Sequence, residues 1–162
     1  MSNIKVTRVD NRYIHGQVNA RLVREYRISR VLLISDEVAK DMFMSQLYKS
    51  IAIGYKVDIL SVQKAVEAWN SGVYAGENVM LLWGNIKSAY ETFEAGLKYE
   101  VLTLGNIPAD AGKVQVDKTC YINATEADQL KALNAGGVEV VFQAMPDTQK
   151  TTLSEALAKT GF

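Results

Sequence analysis

The residues best suited to chemistry lie together near the start of the chain. The cluster contains Arg8, Asp10, Arg12 and His15, which is the only histidine, and it is followed by Gly16. Two guanidinium groups can neutralise an oxyanion, and a carboxylate can orient them. A neutral imidazole is in addition a nucleophile. The residue types therefore predict a phosphate site in which His15 carries the phosphoryl group.

The pattern around this cluster predicts how its members are positioned. A strand is expected over Ile4 to Val9 and a helix over Gly16 to Tyr26. The alternation along a strand puts Arg8 and Asp10 on the same side, while the other two side chains lie farther around the turn. All four are expected to converge on one anion, which the free amides at the helix start would also bind.

The neighbouring residues are assigned supporting roles. Asn11, Gly16 and Gln17, together with Arg8, are expected to bind the phosphate or to support the groups that do. A purely structural interpretation stays open at this point. In it, His15 is a helix-start residue bonded to its own turn, and Arg8 and Asp10 form an ion pair that only stabilises the fold.

The rest of the chain alternates between short β-rich runs and segments of helical period. Further strands are expected at 31–34, 56–60, 79–83, 100–104, 119–123 and 138–142. Helices are expected from Glu37 through a face of Phe43, Leu47 and Ile51, and at 62–69, 86–97, 125–135 and 148–159. Strands that are apolar on both faces are typical of parallel sheets covered by helices. The prediction is an α/β fold with an open, mostly parallel, doubly wound twisted sheet and helices on both faces, in one domain over residues 1–162.

One segment has no clear period. Residues 105–118 contain Pro108 and Gly112 and predict a long loop, with at most a short strand near Val114 to Val116. Loops of this length in compact domains often carry function, so this loop is a second candidate for the site.

Composition limits the classes of partner. The chain of 162 residues has 18 Lys+Arg and 18 Asp+Glu, so there is no overall field to hold nucleic acid. No cluster at metal-ligand spacing is found, and we expect neither metal nor organic cofactor. No apolar run approaches the length of a bilayer span. The expected location is the cytoplasm.

The segment Arg8-Val9-Asp10-Asn11-Arg12-Tyr13-Ile14-His15-Gly16-Gln17-Val18 resembles the opening motif of the enzyme IIB components of the mannose/fructose/sorbose family of the bacterial phosphoenolpyruvate:sugar phosphotransferase system. The similarity continues through Leu32-Leu33-Ile34-Ser35-Asp36, Val79-Met80-Leu81-Leu82, Gly112-Lys113-Val114-Gln115-Val116 and Gly137-Val138-Glu139-Val140. Asn11 stands where this family usually has aspartate.

The resemblance implies an open doubly wound sheet and a phosphoryl relay. His15 would accept phosphate from a IIA phosphoprotein and transfer it to a sugar held by the membrane components IIC and IID, with Arg12 and Asp10 as its catalytic partners. The resemblance thus implies that the chain works transiently at the inner face of the plasma membrane. Self-association is left open. The alternative from another class is a non-catalytic regulatory or binding module that holds a phosphorylated metabolite on the same loop, for which a histidine at the transfer position would be unnecessary.

Overall fold

The computed structural model describes residues 3–162, except for the side chains of Gln17 and Val18. The strands are β1 (Asn3–Asp10), β2 (Arg30–Ile34), β3 (Lys56–Leu60), β4 (Asn78–Trp83), β5 (Val101–Asn106), β6 (Val114–Asp117), β7 (Cys120–Ile122), β8 (Glu139–Phe142) and β9 (Thr151–Thr152). The helices are α1 (Gly16–Glu25), α2 (Asp36–Lys40), α3 (Met42–Ser50), α4 (Val62–Asn70), α5 (Ile86–Glu94), α6 (Ala124–Ala135) and α7 (Leu153–Ala158). None of the helices in the described part is long and apolar enough to cross a membrane.

Seven strands form the main sheet, in the order β3-β2-β4-β1-β5-β8-β9. All neighbouring pairs are parallel except the last, in which β9 runs antiparallel to β8. The chain moves from β1 outwards to β2 and β3, and later crosses back through β4 to β5. Strand β1 therefore lies where the direction of the connections reverses, which is where open α/β sheets bind ligands.

Helices cover both faces of this sheet. On one face, α1, α2 and α3 pack on Val31, Leu33 and Met80, and on the other face α4 to α7 pack on a larger core that contains Leu32 and Leu81. Consecutive residues of one strand thus point into two different apolar cores. This explains why β2 is apolar throughout Val31 to Ile34 and β4 throughout Val79 to Trp83, and it confirms the predicted fold class.

The helix expected from Glu37 is two helices, because Asp41 ends α2 and begins α3. The Asp41 side chain accepts a hydrogen bond from the Met44 backbone N–H at 3.0 Å, so the second helix starts with a new rotational phase. The predicted buried face is consequently wrong. Phe43 is 76% exposed and Leu47 is also exposed, while Tyr48 packs on the sheet.

Two further boundaries differ from the sequence prediction. The loop expected at 105–118 is shorter, because β5 continues to Asn106 and β6 pairs with β7 in an antiparallel hairpin. The helix expected at 148–159 is confined to α7. The two β-branched residues before it, Thr151 and Thr152, instead pair with the edge of β8, and Thr152 then caps the helix.

Candidate active site

A single buried carboxylate organises the predicted cluster. Asp10 ends β1, and its side chain is 1% exposed. Its Oδ1 accepts hydrogen bonds from the backbone N and the Nε of Arg12, at 3.1 and 3.0 Å. Its Oδ2 receives Nη2 of Arg12 at 3.1 Å, Nη2 of Arg8 at 3.3 Å and Nε2 of His15 at 3.0 Å. Both arginines and the histidine are therefore held by one group.

These contacts decide the charge of Asp10. Burial by itself would raise the pKa of the carboxyl group, but the hydrogen bonds from Arg12 and His15 and the charge of Arg8 outweigh it, and the pKa lies below its ordinary value. Asp10 is therefore ionised at neutral pH. Together with the two guanidinium groups it leaves a net charge of +1 beside His15, which favours an incoming anion.

The lowered pKa predicts how stability depends on pH. The unfolded chain binds the Asp10 proton more readily than the folded chain does, so this contribution to the free energy of unfolding is present above the ordinary value of 3.8. It is lost as the pH falls through the lower value of the folded state. Chemical denaturation between about pH 5 and pH 2, compared with Asp10→Asn, is expected to show a steeper acid decline in the wild type. Parallel declines in the two proteins would contradict this assignment.

His15 stands at the start of α1 and has an extended backbone, with φ −147°. Its side chain, 22% exposed, turns back to Asp10 and makes no hydrogen bond to the helix amides. In each of the other six described helices, a Ser, Asp, Asn or Thr side chain caps the first turn. The N-terminus of α1 is thus the one in the described part that has no side-chain cap, and its amides can bind an anion.

The loop between β1 and α1 is held in place at several points. Asn11 bonds to Asn106 of β5 twice, through its backbone N–H at 3.1 Å and its side-chain oxygen at 2.6 Å. Tyr13 has a positive φ of 55°, and its carbonyl accepts a hydrogen bond from the buried Asn19 side chain at 3.0 Å. Gly16 also has a positive φ, of 40°, a conformation that glycine adopts without strain.

Arg8 lies apart from the exposed groups of the site. It is only 2% exposed, and its Nη1 and Nη2 donate to the carbonyls of Gln143 and Ala144 at 3.2 and 2.7 Å. Its guanidinium lies directly against Gly105 of β5, where an added Cβ would be 2.1 Å from Nη2. Arg8 therefore contacts Asp10 from the buried side of the site and does not reach the exposed side of His15.

Gly105→Ala is expected to destabilise the protein by about 1–3 kcal/mol, because the new methyl group would displace the buried guanidinium of Arg8 from its hydrogen bonds to Asp10 and to two backbone carbonyls. Urea denaturation measures this effect. The matched control is Gly161→Ala, where an added Cβ has no neighbour within 4 Å. Equal stability of the two variants would show that Arg8 is not fixed by this contact.

The structure brings together Asp10, Arg12 and His15, as the spacing predicts, and it places Arg8 and Asn11 in supporting contacts. The side chain of Gln17 lies outside the described residues, although its backbone belongs to the first turn of α1. The sequence analysis placed Gly105 in a candidate loop but did not predict its contact with Arg8, and it missed Asn19. An isolated glycine within a strand does signal a close approach, but the polar Asn19 gives no such sign. Among the described residues, no group of three or more His, Cys, Asp or Glu side chains is placed to hold a metal.

Fold and site define an open α/β domain in which one histidine, oriented by a buried carboxylate, faces an uncapped helix start at the reversal point of the sheet. The chain belongs to the family of PTS system sorbose subfamily IIB components, whose model matches residues 4–162. The resemblance noted from the opening motif is therefore confirmed over nearly the whole chain.

Comparison with individual proteins agrees with this membership. The chain is 33% identical to the sorbose-specific EIIB component of Lacticaseibacillus casei over 138 residues, covering 85% of this chain and 84% of that protein. It is 32% identical over 157 residues to the mannose-specific EIIAB component of Escherichia coli (strain K12), covering 96% of this chain but spanning about half, 49%, of that relative. The crystal structure of manxB from Thermoanaerobacter tengcongensis superposes with a TM-score of 0.92 at 29% identity, over 99% of this chain and 98% of that one.

Proposed function

We propose that this chain is a phosphoryl carrier in sugar uptake, with His15 as the residue that accepts and donates the phosphoryl group. The observation that carries the proposal is the pairing of the only histidine of the chain with the uncapped start of α1. A chain that merely bound a phosphorylated metabolite could use the arginines and the amides without an imidazole there. Family membership supports the same assignment.

The hydrogen bonds of His15 indicate which nitrogen reacts. Since Asp10 is ionised and accepts only, Nε2 of His15 must carry the proton that lies between them. The lone pair of the neutral ring then resides on Nδ1, which has no hydrogen-bond partner among the described residues. We infer that Nδ1 forms the N–P bond as the bond to the donor breaks, and that it later yields the group to a sugar hydroxyl.

Arg12 is the second group for which the geometry supports a direct role. Its guanidinium is fixed by two bonds to Asp10, yet its side chain remains 47% exposed on the same side as His15. A fixed cation that contacts the equatorial oxygens of the phosphoryl group stabilises the transition state electrostatically and so lowers the barrier to transfer. The amides of the first turn of α1 would bind the remaining oxygens.

Arg12→Lys is expected to slow transfer about tenfold or more, because lysine keeps the charge but loses the planar fork that holds both Asp10 oxygens and leaves donors for phosphate. The melting temperature should change little, since the side chain is half exposed. Single-turnover transfer from a purified phosphorylated IIA protein measures the rate. Arg21→Lys, which alters an equally exposed arginine paired with Asp147, is the control. Equal rates in both variants would exclude Arg12 from the phosphate site.

The proposed partners follow from the relay. A IIA phosphoprotein would donate to His15, and membrane IIC and IID components would present the sugar, so the chain would work in the cytoplasm and meet the membrane transiently. Incubation with phosphoenolpyruvate and the upstream proteins, followed by intact mass before and after mild acid, tests the function. One added phosphate that acid removes is the expected result, whereas an unchanged mass would favour a binding module.

A further inference from the structure

A residue between the two groups proposed to handle phosphate has an unusual backbone. Tyr13 lies between Arg12 and His15, and its φ of 55° falls in the left-handed region, which bulky residues rarely adopt. The other such residue in the described part, Arg27, stands just after α1, where this conformation is an ordinary way to end a helix. Tyr13 ends no helix, and a strained conformation of this kind persists only where the surrounding contacts impose it.

Hydrogen bonds hold the main chain of Tyr13 on both sides. Its N–H donates to the carbonyl of Asp10 at 3.0 Å, and its own carbonyl accepts a hydrogen bond from Nδ2 of Asn19, also at 3.0 Å. Asn19 belongs to α1 and is only 3% exposed, so the packing of the helix fixes this donor. The turn at Tyr13 is thus attached both to the end of β1 and to α1.

The ring of Tyr13 makes a third attachment, to parts of the chain that are distant in sequence. It packs edge-on against the ring of the buried Tyr48 of α3, with the ring centroids 5.7 Å apart. It also lies against Gly84, directly after β4, where an added Cβ would be 2.5 Å from Cζ of the ring and 2.9 Å from Cε1. Even a methyl group at position 84 therefore cannot coexist with the ring in its present place.

We propose that Tyr13 is a positioning residue for phosphoryl transfer, whose ring holds the strained turn and so keeps Arg12 and His15 directed at the same phosphoryl group. This inference rests on the proposed function. With the ring fixed between α3 and the end of β4, the turn cannot relax to an ordinary φ. A relaxed turn would send the chain in another direction and move His15 relative to Asp10, the group that orients it.

Gly84→Ala tests the ring without changing any group of the site. The new methyl group should push the ring aside and slow single-turnover transfer from a purified phosphorylated IIA protein about tenfold, because small misplacements of reacting groups have effects of this size or larger. The affinity for the IIA protein, measured by titration calorimetry, should stay unchanged. Gly136→Ala is the matched control. Neither glycine has a positive φ, and an added Cβ at position 136 would meet its nearest neighbours at 3.4 Å, an ordinary contact distance.

Substitutions of Tyr13 itself separate its ring from its backbone. Tyr13→Gly removes the ring but can adopt the same φ without strain, so the protein should fold and yet transfer as slowly as Gly84→Ala does. Tyr13→Phe keeps the ring and should retain most of the rate. Gly84→Ala added to Tyr13→Gly should cause no further loss, because the ring through which it acts is then absent. A further loss as large as that in the wild-type background would show that Gly84→Ala does not act through Tyr13.

The imidazole N–H of His15 gives a readout that needs no transfer. Its hydrogen bond to Asp10 should slow exchange of the Nε2 proton with water, so ¹H–¹⁵N NMR should detect this proton in the wild type and lose it in Gly84→Ala. If the wild type accepts no phosphate, the proposed function fails, while this signal still tests the role of Tyr13. A folded Gly84→Ala protein that transfers at the wild-type rate, or that keeps the wild-type Nε2 signal, would overturn that role. Weaker IIA binding at an unchanged transfer rate would do so too, since Tyr13 would then serve docking alone.

Discussion

His15→Ala is expected to abolish acid-labile phosphate on this chain completely. Phosphoenolpyruvate and the upstream proteins would supply the phosphoryl group, and intact mass before and after acid would measure it. The loss should be total because the chain has no second histidine that could form a phosphoramidate. Carboxylates and hydroxyls elsewhere lack the nucleophilic nitrogen, and those of Ser35, Asp41, Ser61 and Thr152 that stand at a helix start already accept a hydrogen bond from its amides.

The His15→Ala variant should fold normally, since the ring is partly exposed and contributes to neither of the two apolar cores. Amide NMR spectra of variant and wild type establish this and keep the result interpretable. Acid-labile phosphate that persists in a folded His15→Ala protein would exclude the proposed carrier. A folded variant that still binds inorganic phosphate near Gly16 would show that the arginine and the helix amides suffice for binding alone.

Asp10→Asn is expected to lower the free energy of unfolding by about 3–5 kcal/mol and to impair transfer as well. The substitution leaves the buried guanidinium of Arg8 without its counter-charge, and loss of one partner from a buried ion pair has an effect of this size. It also turns an acceptor-only carboxylate into an amide, whose NH₂ would face the donors of Arg12 and His15. Denaturation curves and single-turnover transfer measure the two effects.

The matched control for Asp10→Asn is Asp147→Asn. Asp147 is also paired with an arginine, at 3.2 Å, but its side chain is 62% exposed and the pair lies in water. Surface pairs of this kind contribute only about 0–1 kcal/mol. Similar stabilities for the two variants would mean that Asp10 is not the organising group that its contacts indicate.

Much of the site could be predicted from the sequence, because the relevant groups are close in the chain. Asp10, Arg12 and His15 lie on one short loop, and local geometry brings them together. The position of Arg8 depends on groups far along the chain, since Gln143 and Ala144 provide its acceptors and Gly105 provides its space. No pattern around Arg8 itself contains that information.

The order of the strands and helices could also be predicted from the sequence, because the hydrophobic period distinguishes a strand from a helix locally. The rotational phase of α3 could not be predicted, because a single side chain, Asp41, starts a new helix and turns Phe43 towards solvent. Thr151 and Thr152 fit a helical period as well as a strand. Their pairing is decided by the free edge of β8, which forms only in the folded chain.

Because α1 has no side-chain cap, stability and the proposed activity favour different residues at position 15. Serine is among the residues that best cap a helix, and His15→Ser would give α1 what the other six described helices already have. A cap is typically worth about 1 kcal/mol, so this substitution is a natural choice in any effort to make the domain more heat-resistant. It would also remove the imidazole. Engineering that ranks substitutions by thermal stability alone would therefore remove the residue that we propose as the phosphoryl carrier.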